Sequence, residues 1–158
     1  DEILIPGAKR SKPKPPKPTY KGGYGSAQNI AHAGNTKGKL LFPTKGIYTQ
    51  GFHYGHYAVD IAGKRGTPVY ASESGTVVRA DTGWNGGYGN VVIIDHGNGL
   101  QTLYAHNEKI YVRVGDTVNR GQPISAMGNS GRVYGRTGVH VHFEVRINGT
   151  KKNPTRYF

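Results

Sequence analysis

Polar and apolar residues alternate strictly near the C-terminal end of the chain. Residues 140–147 read His-Val-His-Phe-Glu-Val-Arg-Ile. A period of two predicts a β-strand whose apolar side chains enter the core, while His140, His142 and Glu144 share the opposite face. Two strand steps of about 3.4 Å each separate the imidazoles by about 7 Å, so one can bind a metal ion while the other reaches a water bound to it.

Similar β-rich runs recur between glycine-containing turns from residue 66 onward. They cover residues 67–71, 76–80, 90–96 and 100–106. Residues 96–99, His-Gly-Asn-Gly, connect two of these runs and have the composition of a tight hairpin turn. Further turns are predicted at 115–116 and 120–123. We therefore predict an all-β fold, mainly of antiparallel sheet, with very little helix.

The first 39 residues have a different composition. Residues 11–18 read Ser-Lys-Pro-Lys-Pro-Pro-Lys-Pro, which favours an extended polyproline II conformation. Apolar residues become frequent only at Leu40, Leu41 and Phe42. We predict a basic Pro/Gly-rich linker, mostly extended, over residues 1–39, and one folded domain over residues 40–158. The whole chain of 158 residues is long enough for one domain of ordinary size.

The net charge of +12 suggests an anionic partner. Residues 1–45 contain nine basic and two acidic side chains, a net charge of +7, and the rest of the chain contributes +5. Nucleic acid, acidic lipid and a polyanionic cell wall are all possible partners. The alternative to a solvated linker is a polyanion-binding arm, but no aromatic residue lies among the lysines before Tyr20 to stack on bases.

Cysteine is absent, which limits the kinds of site that the chain can form. A disulfide scaffold, a thiol nucleophile and a cysteine-ligated metal site are excluded, so any metal ion must be bound by histidine and carboxylate. No apolar run approaches the roughly 20 residues of a membrane-spanning helix. The chain begins at Asp1 and has no apolar signal core, so we expect a processed or truncated product.

A second spacing points to a metal site. His56 and Asp60 are four residues apart, which places them on one face of either a helix or a strand. Together with His140 or His142 they make a set of two histidines and one aspartate, the composition of a catalytic zinc site with one position open to water. Taken alone, the His56/Asp60 pair or the His140/His142 pair is more often a polar surface pair. A divalent ion other than zinc remains an alternative.

The other histidines carry weaker signals. His53 lies three residues before His56 and is a competing candidate ligand, while His106 ends a predicted strand and is by itself an ordinary polar residue. His32 and His96 lie in turn-rich stretches, and we expect both to be solvated.

The order and spacing of these motifs resemble those of the lysostaphin/LytM-type zinc metallopeptidases, which cut peptide cross-links in bacterial peptidoglycan. The resemblance runs from about residue 42 to residue 157. It includes His-Tyr-Ala-Val-Asp-Ile-Ala at 56–62, Gly-Thr-Pro-Val-Tyr-Ala at 66–71, Tyr-Ala-His at 104–106 and Gly-Val-His-Val-His-Phe-Glu at 138–144. Residues 3–7 are similar to the end of a LysM glycan-binding module.

This resemblance implies a duplicated-hairpin peptidase fold and a specific set of roles. His56, Asp60 and His142 would bind one zinc ion (Zn2+) per chain, and His140 and His106 would act on the attacking water and the oxyanion. The activity implied is hydrolysis of peptidoglycan peptide cross-links by a zinc-activated water. Glu144 is expected to support the site rather than to act as the base, since it lies one strand step beyond the ligand.

The same resemblance implies a secreted or cell-envelope protein. Its partners would be the stem peptide or cross-bridge of peptidoglycan, with the basic leader contacting anionic wall polymers, and we expect a monomer that does not recognise nucleic acid specifically. Loops 81–89 and 129–136 are candidate walls of a substrate groove, where Arg132 and Arg136 would attract carboxylates. The alternative function is a catalytically silent wall-binding module that activates other peptidoglycan hydrolases.

Overall fold

A computed structural model describes residues 40–133 and 138–158. The predicted linker over residues 1–39, with His32 and the LysM-like residues, lies outside them, as does Arg136. Two short 3-10 turns, Asn85–Gly87 and Pro154–Arg156, are the only helical elements among the residues described. The ten β-strands are β1 Ile47–Gln50, β2 Val59–Ala62, β3 Pro68–Tyr70, β4 Gly75–Asp81, β5 Asn90–Gly97, β6 Leu100–Ile110, β7 Thr117–Val118, β8 Pro123–Met127, β9 His140–Ile147 and β10 Thr150–Lys152.

All strand pairings among the described residues are antiparallel, which confirms the predicted fold class. The main order across the sheet is β1-β2-β9-β6-β5-β4-β7, with β10 beside β9 and with β8 joining β3 to β6. The predicted hairpin at 96–99 is confirmed, because Asn98 and Gly99 connect β5 to β6 with φ of 52° and 79°. Positive φ at both positions matches the right-handed twist of the paired strands.

The alternation in β9 separates two faces of the sheet. Val141, Phe143 and Val145 are fully buried in the main core, where Phe143 packs on Tyr104 with ring centroids 5.3 Å apart. We call this side the core face. The other side, the site face, carries the polar residues of the same strand, as the sequence pattern predicted.

Strand register brings the polar residues of β2 and β9 together. Asp60 of β2 lies directly opposite His142 of β9, and Ala62 lies opposite His140. On the other side of β9, Ala105 of β6 lies opposite His142. Directly opposed residues of an antiparallel pair have Cβ atoms about 4.5–5.5 Å apart, so Asp60 and His142 meet without help from a loop.

The chain just before and after the sheet closes the core. Leu40 is buried and donates its backbone N–H to the carbonyl of Tyr157, while Phe42 packs against Phe158 with ring centroids 4.9 Å apart. Within the described residues, no helix is long and apolar enough to cross a membrane.

Candidate active site

The five residues predicted to form the site all line one cleft on the site face. The cleft has a volume of about 410 Å³. The five residues are His56, Asp60, His106, His140 and His142.

Three of these residues present potential metal ligands to one another. One atom each of His56, Asp60 and His142 lies within 4.8 Å of the other two. Nε2 of His56 is 3.1 Å from Oδ2 of Asp60, and Nδ1 of His142 is 3.1 Å from Oδ1 of the same carboxylate. Asp60 therefore lies between two imidazoles, with one oxygen toward each.

The orientation of His56 is fixed by the loop that precedes β2. Nδ1 of His56 lies 2.8 Å from the carbonyl oxygen of Gly51, which only accepts hydrogen bonds. The proton of the neutral ring is therefore on Nδ1, and Nε2 carries a lone pair. Nε2 is buried and has no hydrogen-bond partner among the residues that the structure describes. A buried lone pair 3.1 Å from a carboxylate oxygen fits a shared cation, so the residues present suit a metal ion.

His142 lies between two carboxylates. Nδ1 faces Asp60 at 3.1 Å, and Nε2 faces Oε1 of Glu144, also at 3.1 Å. Burial by itself lowers the pKa of His142, but the hydrogen bonds and charges of both carboxylates outweigh it, and the pKa is raised. Burial likewise opposes ionisation of Asp60, yet its hydrogen bond with His142 and the nearby imidazoles lower the pKa of Asp60.

Glu144 is an ionised carboxylate that is only 1% exposed. Its Oε1 accepts a hydrogen bond from the Tyr88 hydroxyl at 2.7 Å, and its Oε2 accepts two from Arg146 at 2.8 and 3.0 Å. Nζ of Lys151 is 3.3 Å from Oε1. Burial raises the pKa of Glu144, but the hydrogen bonds from His142 and Tyr88, with the charges of His142 and Lys151, lower it to about 2.

His140 and His106 both line the cleft with Nδ1 held by a backbone carbonyl. Nδ1 of His140 lies 3.0 Å from the carbonyl oxygen of Gly138, and Nδ1 of His106 lies 2.8 Å from that of Ser130. Because a carbonyl only accepts, each neutral ring keeps its proton on Nδ1 and exposes the Nε2 lone pair. The centroids of the two rings are 4.7 Å apart, and Nε2 of His140 is 3.8 Å from Oδ2 of Asp60.

A local distortion of β6 directs His106 into the cleft. The β5–β6 register shifts between Asn90 and Val92, and His106 has a φ of 62°, a left-handed conformation that is uncommon outside glycine. Its side chain is 5% exposed, and burial lowers the pKa of His106 to about 4, so the ring is neutral at pH 7. Sequence spacing carried no sign of this bulge.

Two other histidines lie outside the ligand group. His53 is exposed and contacts Gln50 through Nε2 at 3.1 Å, so the structure does not bring it to Asp60. The expectation that His96 is solvated is wrong. His96 belongs to β5, and its nitrogens contact the carbonyl oxygen of Ser74 at 2.8 Å and the hydroxyl of Thr102 at 2.7 Å. Its turn-rich neighbourhood concealed these partners, which come from other segments.

The two loops predicted as groove walls pack directly against each other beside the cleft. Gly87 and Arg132 line it, the Arg132 amide donates to the Gly87 carbonyl at 2.8 Å, and the Arg132 guanidinium lies 5.8 Å from the Trp84 ring centroid. Gly131 is required here, because a Cβ on it would lie 2.3 Å from the amide nitrogen of Gly89.

Arg146 and Lys151, which contact the Glu144 carboxylate, were not among the site residues predicted from the sequence. Arg146 follows Glu144 by two residues in the same alternating strand, and this spacing was a usable signal. Lys151 reaches the cleft because it pairs with Arg146 across the β9–β10 hairpin, a register that depends on the turn at Asn148 and Gly149.

The family follows from comparison of the whole domain. Residues 54–154 match Peptidase family M23, so the chain belongs to this family. This finding confirms the resemblance to lysostaphin/LytM-type proteins.

Several curated relatives share this segment. The chain is 43% identical to Lipoprotein NlpD of Yersinia enterocolitica over 62% of this chain and 96% of that protein. It is 44% identical to DD-carboxypeptidase/endopeptidase Mpg of Neisseria meningitidis and 37% identical to Murein hydrolase activator NlpD of Escherichia coli, over 63% and 73% of this chain. The matches span only 22% and 30% of the lengths of these last two proteins.

Solved structures share the fold. An M23 peptidase from Pseudomonas aeruginosa is 30% identical, with a TM-score of 0.70 over 77% of this chain and 51% of that one. A zinc-containing peptidase from Vibrio cholerae is 30% identical, with a TM-score of 0.65 over 74% and 39%. The catalytic domain of lysostaphin from Staphylococcus simulans is 35% identical, with a TM-score of 0.58 over 75% and 90%.

Proposed function

We propose that this chain is a zinc-dependent endopeptidase that hydrolyses peptide cross-links of bacterial peptidoglycan. The observation that carries the proposal is the orientation of the cleft histidines. His56, His106 and His140 each have Nδ1 against a backbone carbonyl and Nε2 facing the cleft. Membership of a peptidase family supports the reaction class, and the zinc-containing relative from Vibrio cholerae supports the choice of metal.

The metal would be held by Nε2 of His56, the carboxylate of Asp60 and Nδ1 of His142. Zinc bound by three such ligands lowers the pKa of water toward about 7 and polarises a carbonyl group. The strongest sign in favour of this set is the buried Nε2 of His56, which has no hydrogen-bond partner in the described part of the chain.

His140 and His106 would transfer the proton of the attacking water. Each Nε2 lone pair can accept the proton of the attacking water, and a ring that has accepted it becomes a donor. The protonated ring then hydrogen-bonds the developing oxyanion or gives its proton to the leaving amine as the C–N bond breaks. His140 is suited to take the proton first, since its Nε2 is 3.8 Å from a carboxylate oxygen of Asp60.

The alternative function is a catalytically silent module that activates other peptidoglycan hydrolases. The name of the Escherichia coli relative, Murein hydrolase activator NlpD, favours it. A module that only binds has no need for two further histidines with free lone pairs beside the ligand group, and for this reason we propose the enzyme.

Metal content and muropeptide release, measured for the wild type and for His140→Ala, separate the two functions. We expect about one zinc per chain in both proteins. Product release from peptidoglycan should fall by about 10²- to 10⁴-fold in the variant, the usual contribution of a general acid or base. Wild-type protein that binds no zinc, or an equally active variant, would contradict the proposal.

We also propose a location in the cell envelope, which the lipoprotein and murein-related names of the relatives support. Secretion and a monomeric state remain expectations. The leader should add affinity for anionic wall polymers because it concentrates positive charge. Co-sedimentation with purified wall should therefore weaken when residues 1–39 are removed, and unchanged binding would argue against the leader as an anchor.

A further inference from the structure

His142 can take its place in the proposed site only with its proton on the correct nitrogen. In a neutral imidazole one nitrogen carries the proton and the other a lone pair. The Nδ1 atom faces Asp60 and the Nε2 atom faces Glu144, both at 3.1 Å. A ring that binds a metal must be neutral, so in the proposed site the two carboxylates compete for a single N–H. The other three cleft histidines face a backbone carbonyl, which leaves them no such choice.

We propose that Glu144 is a positioning residue that selects the tautomer of His142. By accepting the Nε2 proton, Glu144 leaves the Nδ1 lone pair directed at Asp60 and His56. This inference rests on the proposed function, because it concerns the same metal site, and it adds a role for a residue that contacts neither metal nor substrate in that proposal.

The surroundings of Glu144 keep it acceptor-only. Arg146 donates two hydrogen bonds to Oε2, and Tyr88 donates one to Oε1, the same oxygen that His142 contacts. Arg146 and Lys151 supply the positive charge that a carboxylate with 1% exposure requires. Because donors already point at both of its oxygens, Glu144 is placed to accept the imidazole N–H rather than to donate to it.

The same contacts make Glu144→Gln a directed test. Two hydrogen bonds from Arg146 reach Oε2, whereas one from Tyr88 reaches Oε1 and Nζ of Lys151 lies 3.3 Å from it. We expect the amide oxygen of the glutamine to take the place of Oε2, where two short hydrogen bonds converge, so that the NH₂ group faces Nε2 of His142. This donor favours a lone pair on Nε2 and a proton on Nδ1, the reverse of the tautomer that the metal site needs. The side chain keeps its shape, so the change is one of proton position and charge.

A matched control is available on another part of the sheet. Glu73 is also buried, at 6% exposure, and accepts a hydrogen bond from Arg120 at 3.1 Å, but it does not line the cleft. Glu73→Gln therefore neutralises a buried, arginine-paired glutamate without touching His142.

The experiment combines zinc affinity with the protonation state of the ring. Zinc affinity is measured by competition with a chelator for the wild type and both variants, and long-range proton–nitrogen NMR of zinc-loaded, ¹⁵N-histidine-labelled wild type reports which nitrogen of His142 carries the proton. We expect a proton on Nε2 in the wild type, a zinc affinity about 10- to 100-fold weaker in Glu144→Gln, and an unchanged affinity in Glu73→Gln.

The possible failures are distinguishable. A wild-type protein that binds no zinc overturns the proposed function and this inference with it. A wild type that binds zinc but protonates Nδ1 of His142 overturns the inference alone. A Glu144→Gln variant that folds and binds zinc as tightly as Glu73→Gln also overturns the inference alone. If Glu144→Gln fails to fold, the same spectrum of the metal-free wild type decides, because no zinc then fixes the proton. A proton on Nδ1 of the neutral His142 ring would overturn the inference.

Discussion

The two faces of one sheet hold half-buried histidines with opposite kinds of environment. On the site face, His56 has one nitrogen hydrogen-bonded to a carbonyl, and the other is buried with no hydrogen-bond partner among the described residues. On the core side, His96 has both nitrogens paired, and its partner Thr102 continues to the hydroxyl of Tyr104 at 2.7 Å. A buried polar group that is fully paired stabilises the fold, whereas one left with a free lone pair is available to a ligand.

The largest expected difference between the faces is in metal binding. Asp60→Ala removes the carboxylate that lies between His56 and His142, so we expect zinc binding and peptidoglycan hydrolysis to be lost together. Elemental analysis and a muropeptide release assay measure both. His96→Ala serves as the control with intact zinc binding. An Asp60→Ala protein that retains stoichiometric zinc would place the ion elsewhere.

The second largest effect is on stability, and we expect it from a substitution on the core side that leaves metal binding intact. His96→Ala leaves the Thr102 hydroxyl, which is fully buried, and the Ser74 carbonyl without their imidazole partner. We expect the free energy of unfolding to fall by about 1–3 kcal/mol, the contribution of two lost hydrogen bonds, with zinc affinity unchanged. Urea denaturation of the zinc-loaded proteins measures the loss. A variant as stable as the wild type would show that the His96 network contributes nothing to the fold.

The smallest effect is a pH dependence that belongs to the core side. Burial lowers the pKa of His96 below its ordinary value, against smaller opposing effects of the Ser74 carbonyl and the charges of Glu73 and Asp95. The unfolded chain therefore takes up a proton that the folded His96 resists, so this group stabilises the fold above an imidazole pKa of about 6.5 and less as the pH falls.

His96→Gln removes this titration while keeping a polar side chain. Between about pH 7 and pH 5, across the ordinary imidazole pKa, the free energy of unfolding should decrease less steeply in the variant than in the wild type. Because the other histidines titrate in both proteins, the difference in slope isolates His96. Equal slopes would mean that His96 is protonated as readily in the folded protein as in the unfolded one.

Prediction from the sequence was most successful where the signal was local. The alternation in residues 140–147 placed His140, His142 and Glu144 on one face because side chains of any strand alternate. The turn at 98–99 was predictable because both central residues require positive φ. The roles of individual histidines came from resemblance to a family and not from spacing, and those roles remain predictions.

Prediction failed or was silent where the partner of a residue is distant in the chain. His96 was expected in solvent, yet it is held by Thr102 and Ser74 from neighbouring segments. His106 enters the cleft through a bulge against β5, and Lys151 reaches Glu144 through the β9–β10 register. No local pattern contains such information, because the pairing of two strands is set by the whole core.

The amino-acid sequence by itself therefore determined that this protein is built of antiparallel strands, that cysteine plays no part in it, and that histidine and aspartate are the available ligands. The tertiary structure decided which nitrogen of each histidine faces the cleft. For His56 and His106 that choice depends on the carbonyl oxygens of Gly51 and Ser130, which the packing of loops brings to the imidazoles. The physical reason is that the proton on a neutral imidazole follows the acceptor beside it, and the acceptor of His106 lies 24 residues away in the chain.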